Sequence, residues 1–158
     1  GPILWVSHDL GECFRSCRSV CIMDNGASLP VTDMETLVHH PATQCAARLV
    51  GLRNFLPGRR CEGGVRIDGW EMVLPLQAAS EQVTVAIPES AIVLAREGYT
   101  ARVCRVIRDL RDTVAVLRPV QDADAQLLRV VLPEGMAVAE GDVISFALLA
   151  DQCLQWEQ

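Results

Sequence analysis

Ser7, His8 and Asp9 follow the apolar run Ile3-Leu4-Trp5-Val6 and stand directly before Leu10-Gly11-Glu12. A hydroxyl, an imidazole and a carboxylate are the groups of a nucleophilic triad. Their adjacency argues against that chemistry. Triad members meet across a fold, and neighbours at a strand end point to opposite sides. Phosphate chemistry has its own requirements. A phosphate-binding loop uses glycines and a Lys that reaches the β- and γ-phosphates. All 14 basic residues of this chain are Arg, and no G-x-x-x-x-G-K-[ST] run is present. No apolar strand ending in Asp-Glu precedes His8 to hold Mg²⁺ and polarise water. By itself, the chain is not expected to hydrolyse ATP.

Other residues invite sharper readings. Cys13, Cys17 and Cys21 recur every fourth residue. One helix through all of them would align them for a metal. The run Val20-Cys21-Ile22-Met23 reads instead as a strand, which turns Cys21 away. No fourth Cys or His sits at a zinc-like spacing nearby, so buried thiols are the expected state. His39 and His40 fall at a junction between predicted helices and read as polar residues around a helix start. Arg102, Arg105, Arg108 and Arg111 recur every third residue, with Arg118 beyond. On a regular strand over Ala101–Ile107, Arg105 lies on the opposite face from Arg102 and Arg108. Solvated arginines on an acidic protein are the favoured reading. The alternative sets one or two beside a tetrahedral oxyanion, with hydroxyls available from Ser80, Thr84, Ser90, Thr100, Thr113 and Ser145.

Composition narrows the function classes. At 158 residues, half of them hydrophobic, the chain is long enough for one good core or two small ones. A net charge of −6 argues against broad binding to nucleic-acid backbones or anionic membrane. The scattered aromatics Trp70, Tyr99, Phe146 and Trp156 form no stacking platform, so no nucleic-acid partner is expected. No run of about 18 apolar residues and no signal peptide is visible. The cysteine count is 7, odd and without a compact disulfide framework, which suits a reducing cytosol.

The elements that would position these residues change character along the chain. Ile3–Val6 reads as an apolar strand. Asp9 and Glu12 form a capping pattern for a helix to about Cys17. Val20–Met23 reads as a short buried strand, and Asp24-Asn25-Gly26 as a turn. A second capping box at Thr32-Asp33-Met34-Glu35 opens a helix to about Val38. Pro41 suits the first turn of a third helix over Ala42–Val50, stopped by Gly51. Beyond Asn54-Phe55-Leu56-Pro57-Gly58 the pattern becomes short apolar runs separated by turn residues. Strands are expected at Val65–Asp68, Met72–Leu76, Val83–Ile87, Ala91–Leu94, Ala101–Ile107, Thr113–Leu117, Leu127–Leu132 and Val143–Leu149. Closely spaced strands without helices argue for a small barrel or sandwich. The predicted organisation is an α/β segment over residues 1–57 and an all-β unit over 58–158.

The first fifty-odd residues resemble a known family. The strand–Ser-His-Asp–helix junction at His8 is similar to the switch-histidine segment of ABC-transporter ATPases. Glu12-Cys13-Phe14-Arg15-Ser16-Cys17, Ser19–Met23 and Gly26 resemble the stretch after that histidine in importer ATPases. Met34-Glu35-Thr36-Leu37, Pro41-Ala42-Thr43 and Ala46–Leu49 resemble their closing helices. Val50-Gly51-Leu52-Arg53-Asn54 is similar to their Gly-x-x-Asn joint, and the β segment resembles an OB-like TOBE barrel. Cys17, Pro41-Ala42-Thr43, Gly51-x-x-Asn54 and Trp70 look most like the molybdate branch. The chain departs from the pattern at Arg18, where Asp is usual. It departs again at Ile87-Pro88-Glu89-Ser90, where TOBE barrels often read Ile-Arg-Pro-Glu.

That resemblance carries functional expectations. The chain would be the C-terminal part of the ATP-binding subunit of an importer for molybdate or a related oxyanion. His8 would sense the γ-phosphate of ATP in the intact subunit, which uses ATP and Mg²⁺. This chain alone would hold neither. The barrel would be a regulatory and dimerisation module with molybdate or another oxyanion as a ligand. A homodimer and a membrane permease subunit are the implied partners, which places the protein in the cytoplasm at the inner face of the membrane. Alternatives are an importer ATPase for sulfate, polyamine, iron or sugar, and a stand-alone cytosolic molybdate-binding module.

Overall fold

The computed structural model describes residues 3–158. Two compact units divide between Gly51 and Leu52. The expected boundary near Pro57 falls inside a strand of the second unit, Phe55–Cys61.

In the first unit, helix α1 spans Leu10–Ser16, and the Asp9 carboxylate caps it by accepting from the Glu12 N–H. The predicted strand at Ile3–Val6 does not form. A strand needs a partner for its backbone groups, and these residues pair with none among those described. Their side chains are exposed, Leu4 by 93 %. The predicted strand at Val20–Met23 divides into β1 (Ser19–Val20) and β2 (Met23–Asp24). Strand β1 pairs with β4 (Thr32–Asp33), and β2 turns through Asn25-Gly26 onto β3 (Ala27–Ser28). Between them Ile22 turns inward to Met34, Leu37 and Ala46, which form a small core.

Helices α2 (Met34–His39) and α3 (Gln44–Leu49) close this unit. Asp33 caps α2 by accepting from the backbone N–H and the hydroxyl of Thr36. Those two bonds, the backbone one first, hold the Asp33 carboxyl below its ordinary value. Helix α3 starts later than expected, because Thr43 rather than Pro41 sets its start: the Thr43 hydroxyl accepts from Ala46 N–H. Gly51 follows α3 with φ of +98°, a backbone conformation that glycine reaches without strain.

The second unit is two antiparallel sheets. Strands β5 (Phe55–Cys61), β6 (Gly64–Ile67), β7 (Met72–Leu74), β8 (Gln82–Ala86) and β13 (Leu154–Glu157) form a sheet of order β13-β8-β5-β6-β7. Strands β9 (Ile92–Arg108), β10 (Thr113–Pro119), β11 (Leu128–Val131) and β12 (Val143–Leu148) form the other, of order β11-β10-β9-β12. Leu56, Val65, Ile67, Met72, Val83 and Val85 from the first sheet share one core with Val103, Leu117, Val130 and Phe146 from the second. The all-β expectation of a small barrel or sandwich is met as a β-rich unit: two sheets share one core, and no ladder closes them into a barrel among the described residues.

What joins the sheets is a side chain. Asn54 is 2 % exposed and its amide behaves like a strand neighbour of Arg129. Its Nδ2 donates to the Arg129 carbonyl at 2.8 Å, and its Oδ1 accepts from the Arg129 N–H at 2.7 Å. The same Nδ2 donates to the Ile87 carbonyl at 3.0 Å, and the Asn54 carbonyl accepts from the Ile87 N–H. Strand β11 lies at the edge of its sheet, and one amide satisfies the Arg129 groups on that edge while tying them to the end of β8. The Trp70 indole makes a second tie, donating to the Gln126 carbonyl at 2.7 Å and packing edge-on against Phe146.

Two predicted strands, Ala91–Leu94 and Ala101–Ile107, are one continuous element, β9. The break expected at Glu97-Gly98 survives only as a pairing irregularity. Strand β12 pairs Ser145 with Thr100 but Phe146 with Leu94, leaving residues 95–99 unpaired. Gly98 sits there with φ of +139°, and any Cβ on it would collide with the Phe146 carbonyl.

Asn54→Ala removes the amide and leaves buried backbone groups of Arg129 and Ile87 without partners. The expected loss is about 3 kcal/mol of stability. Urea unfolding followed by tryptophan fluorescence measures it. A loss below about 1 kcal/mol would mean that the two sheets hold together without this residue.

Candidate functional site

His8 is exposed, one residue ahead of the Asp9 cap. Its neighbours are already engaged. The Ser7 hydroxyl accepts from the Asp9 N–H at 3.0 Å and faces the Glu12 carboxylate at 3.5 Å. Ser7 and Asp9 thus build the turn into α1 and leave the imidazole projecting alone. The cysteines do not converge. Cys13 lies in α1, Cys17 ends it, and the exposed Cys21 donates to the Leu29 carbonyl at 3.1 Å. Among the described residues, no group of at least 3 His, Cys, Asp or Glu is placed to hold a metal. His39 and His40 are exposed at the end of α2.

The second unit brings together residues that sequence spacing alone separates. A groove of about 710 Å³ lies against the face of the β11-β10-β9 sheet that is turned away from the core. Arg53, Arg105 and Arg129 line it, with Asn54, Cys104 and Val116 beneath them and residues 125–127 along one wall. Arg105 is there because of a β-bulge. Strand β10 pairs Leu117 with Val103 and Val116 with Arg105, so Cys104 has no partner. One extra residue reverses the alternation of faces. Arg105 therefore shares the outer face with Arg102, and Val106 turns inward to the core. Regular alternation would put Arg105 on the face opposite Arg102, and the bulge overturns that expectation.

The groove's chemistry is basic. None of its lining residues is acidic. The ion pairs of the described residues engage other arginines: Arg59 with Asp68, Arg60 with Glu81 and Arg66 with Glu71. Arg102 and Arg118 donate to the carbonyls of Gly141 and Pro119. The Nε of Arg129 is buried and makes no hydrogen bond. None of the six hydroxyls named from the sequence lines the groove. Ser80 and Ser90 instead donate to the Gln82 carbonyl and the Gln152 side chain. Asp122 and Asp124, on the same loop as residues 125–127, line a smaller hollow beside Asp68 and Gly69.

The thiols divide by environment. Burial, reinforced by the Asp151 charge, pushes the Cys153 thiol up to about 11. Burial and then Asp24 raise that of Cys45.

No family model matches the chain. It is similar to three bacterial proteins named Fe(3+) ions import ATP-binding protein. Identity to the one from Photorhabdus laumondii is 28% over 105 residues, covering 65% of this chain and 30% of that protein. Identity to the one from Escherichia coli K12 is 29% over 106 residues, covering 66% and 30%. Identity to the one from Pectobacterium atrosepticum is 28% over 105 residues, covering 65% and 30%. The matches thus span about 30% of the length of these curated relatives. No helix is long and apolar enough to cross a membrane among the described residues.

The Cys153 environment sets a pH dependence. Its folded pKa lies above the ordinary 9.0, so the unfolded chain loses this proton first as pH rises. The linked stability is complete below about pH 9 and declines toward about pH 11. Urea unfolding at about pH 8 and about pH 10.5 should show that decline, and Cys153→Ala should shrink it. An identical decline in the variant would assign it to other groups.

Proposed function

We propose that this chain is the C-terminal part of the ATP-binding subunit of an ABC importer. The observation that carries this reading is its similarity, over about two thirds of its length, to importer ATP-binding proteins. His8 supports it. A lone exposed imidazole at the mouth of a capped helix suits a group that reaches a phosphate supplied from elsewhere in a longer protein. ATP and Mg²⁺ would be held by residues outside this chain. Within the chain, Asp9 and Ser7 fix the backbone that carries the imidazole, and His8 donates its hydrogen bond to the γ-phosphate. The exposed run Ile3–Val6 would pair in the sheet of that longer protein and lose its solvent contact there.

The second unit acts in this reading as a regulatory and dimerisation module of TOBE type. Its outer face around β12 leaves Val93, Val143 and Leu149 exposed, which suits pairing with a second copy. A membrane permease is the partner that an importer requires, and the subunit would sit at the cytoplasmic face. The relatives' names point to Fe(3+) as cargo. The resemblance of Cys17, Pro41-Ala42-Thr43 and Trp70 to the molybdate branch points to an oxyanion, and growth limited by either nutrient separates the two.

In the longer protein that contains this chain, His8→Ala should lower ATP turnover by roughly 10²-fold, the scale of losing a hydrogen-bond donor to a developing charge. Stability should be unchanged, since the Asp9 cap remains. This chain alone should show no turnover. Full activity of the His8→Ala protein, or His8-dependent hydrolysis by the chain alone, would overturn the reading.

A further inference from the structure

We propose that the groove of Arg53, Arg105 and Arg129 is a binding site for a small organic polyanion. Such a ligand carries two or more carboxylate or phosphate groups on a carbon skeleton. The proposal rests on the groove alone and does not depend on the transport role.

The first support is electrostatic. Cross-strand register places Arg129, Val116 and Arg105 in one row across β11, β10 and β9. Two strand spacings put the outer pair about 10 Å apart at the backbone, with Val116 between them. Arg53 enters from the chain just before Asn54, whose amide grips the Arg129 backbone. The backbones that carry Arg53 and Arg129 are therefore fixed relative to each other. Three guanidinium groups share one groove without a lining carboxylate, on a chain whose net charge is −6. Such an arrangement is self-repelling until an anion occupies it.

The second support is the orphaned donor. Arg129 Nε is buried without a hydrogen-bond partner. A buried, unpaired donor on a cation is costly to leave unmade. A side-chain shift that turns Nε toward the groove would let a ligand oxygen complete it. The guanidinium fork matches carboxylate and phosphate alike, since both present two oxygens side by side.

The third support concerns size and lining. A groove of about 710 Å³ is far larger than one tetrahedral oxyanion needs. Val116, Ala125 and Leu127 provide an apolar strip among the cations. Dispersed charge around an apolar strip fits separated anionic groups joined by carbon, rather than a single inorganic ion.

Calorimetric titration of the full chain tests this with citrate, fructose 1,6-bisphosphate, inorganic phosphate and molybdate as separate arms. At least one organic polyanion should bind roughly tenfold or more tightly than phosphate and molybdate. The two organic arms decide between carboxylate and phosphate groups. Binding should weaken as salt rises. Arg105→Gln, an exposed change, should weaken it at least about tenfold, and so should Arg129→Gln if circular dichroism shows it folded. Arg66→Gln, on the other sheet, should bind as the parent does. Molybdate or phosphate binding as tightly as the organic arms would overturn the assignment of ligand class. No heat in any arm, or equal binding by Arg105→Gln, would overturn the site itself.

Discussion

One buried amide carries the architecture of the second unit. Asn54 faces the edge of β11 and supplies both a donor and an acceptor to Arg129, as a neighbouring strand would. It also reaches Ile87, at the end of β8. A sheet edge must be paired, covered or solvated, and here a single side chain pairs its Arg129. The two sheets thus share a corner without sharing a ladder. Hydrophobic contact between Leu56, Val85, Leu117, Val130 and Phe146 supplies the bulk of the driving force. That contact is non-directional. The amide bonds select one registry of sheet against sheet, because displacement of β11 would strand three buried polar groups.

The same constraint reaches the groove. Arg129 is held by its backbone, so its guanidinium starts from a fixed point. Arg105 is brought opposite it by the bulge at Cys104. Neither residue is positioned by the other. Two independent features, a side-chain bridge and a bulge in the backbone, converge on one face. This accounts for like charges standing together: the fold places them, and their mutual repulsion is opposed by main-chain bonds and core packing.

Legibility in the sequence differs from element to element. Helix caps are readable, because Asp9 and Asp33 act through local spacing that any single sequence displays. Most β-strands are readable from alternation. Strand β5 is not, because Pro57 and Gly58 resemble a linker. Pro57 is tolerated because its carbonyl, and hence its absent N–H, faces the β6 side at the end of that ladder, where the carbonyl still accepts from the Asp68 N–H. No bond to β8 is lost there. Gly58 is required by packing, since a Cβ would press on Val65. The groove is hidden for a different reason. A bulge depends on which residue of β10 opposes which residue of β9, and spacing within one strand carries no record of that register.

The two units differ in what they complete by themselves. The second has a core drawn from both sheets, and its ties at Asn54 and Trp70 are internal. The first has a small core, while Ile3, Leu4 and Val6 stay in solvent. The His8 imidazole is likewise exposed. Under the importer reading proposed above, the exposed apolar residues and the His8 imidazole of this short stretch would meet residues outside this chain. The groove needs no such addition: its basic residues lie within one sheet face and the segment leading into β5. Local charge decides what a site attracts, and a basic groove can hold an anion on a protein whose net charge is negative.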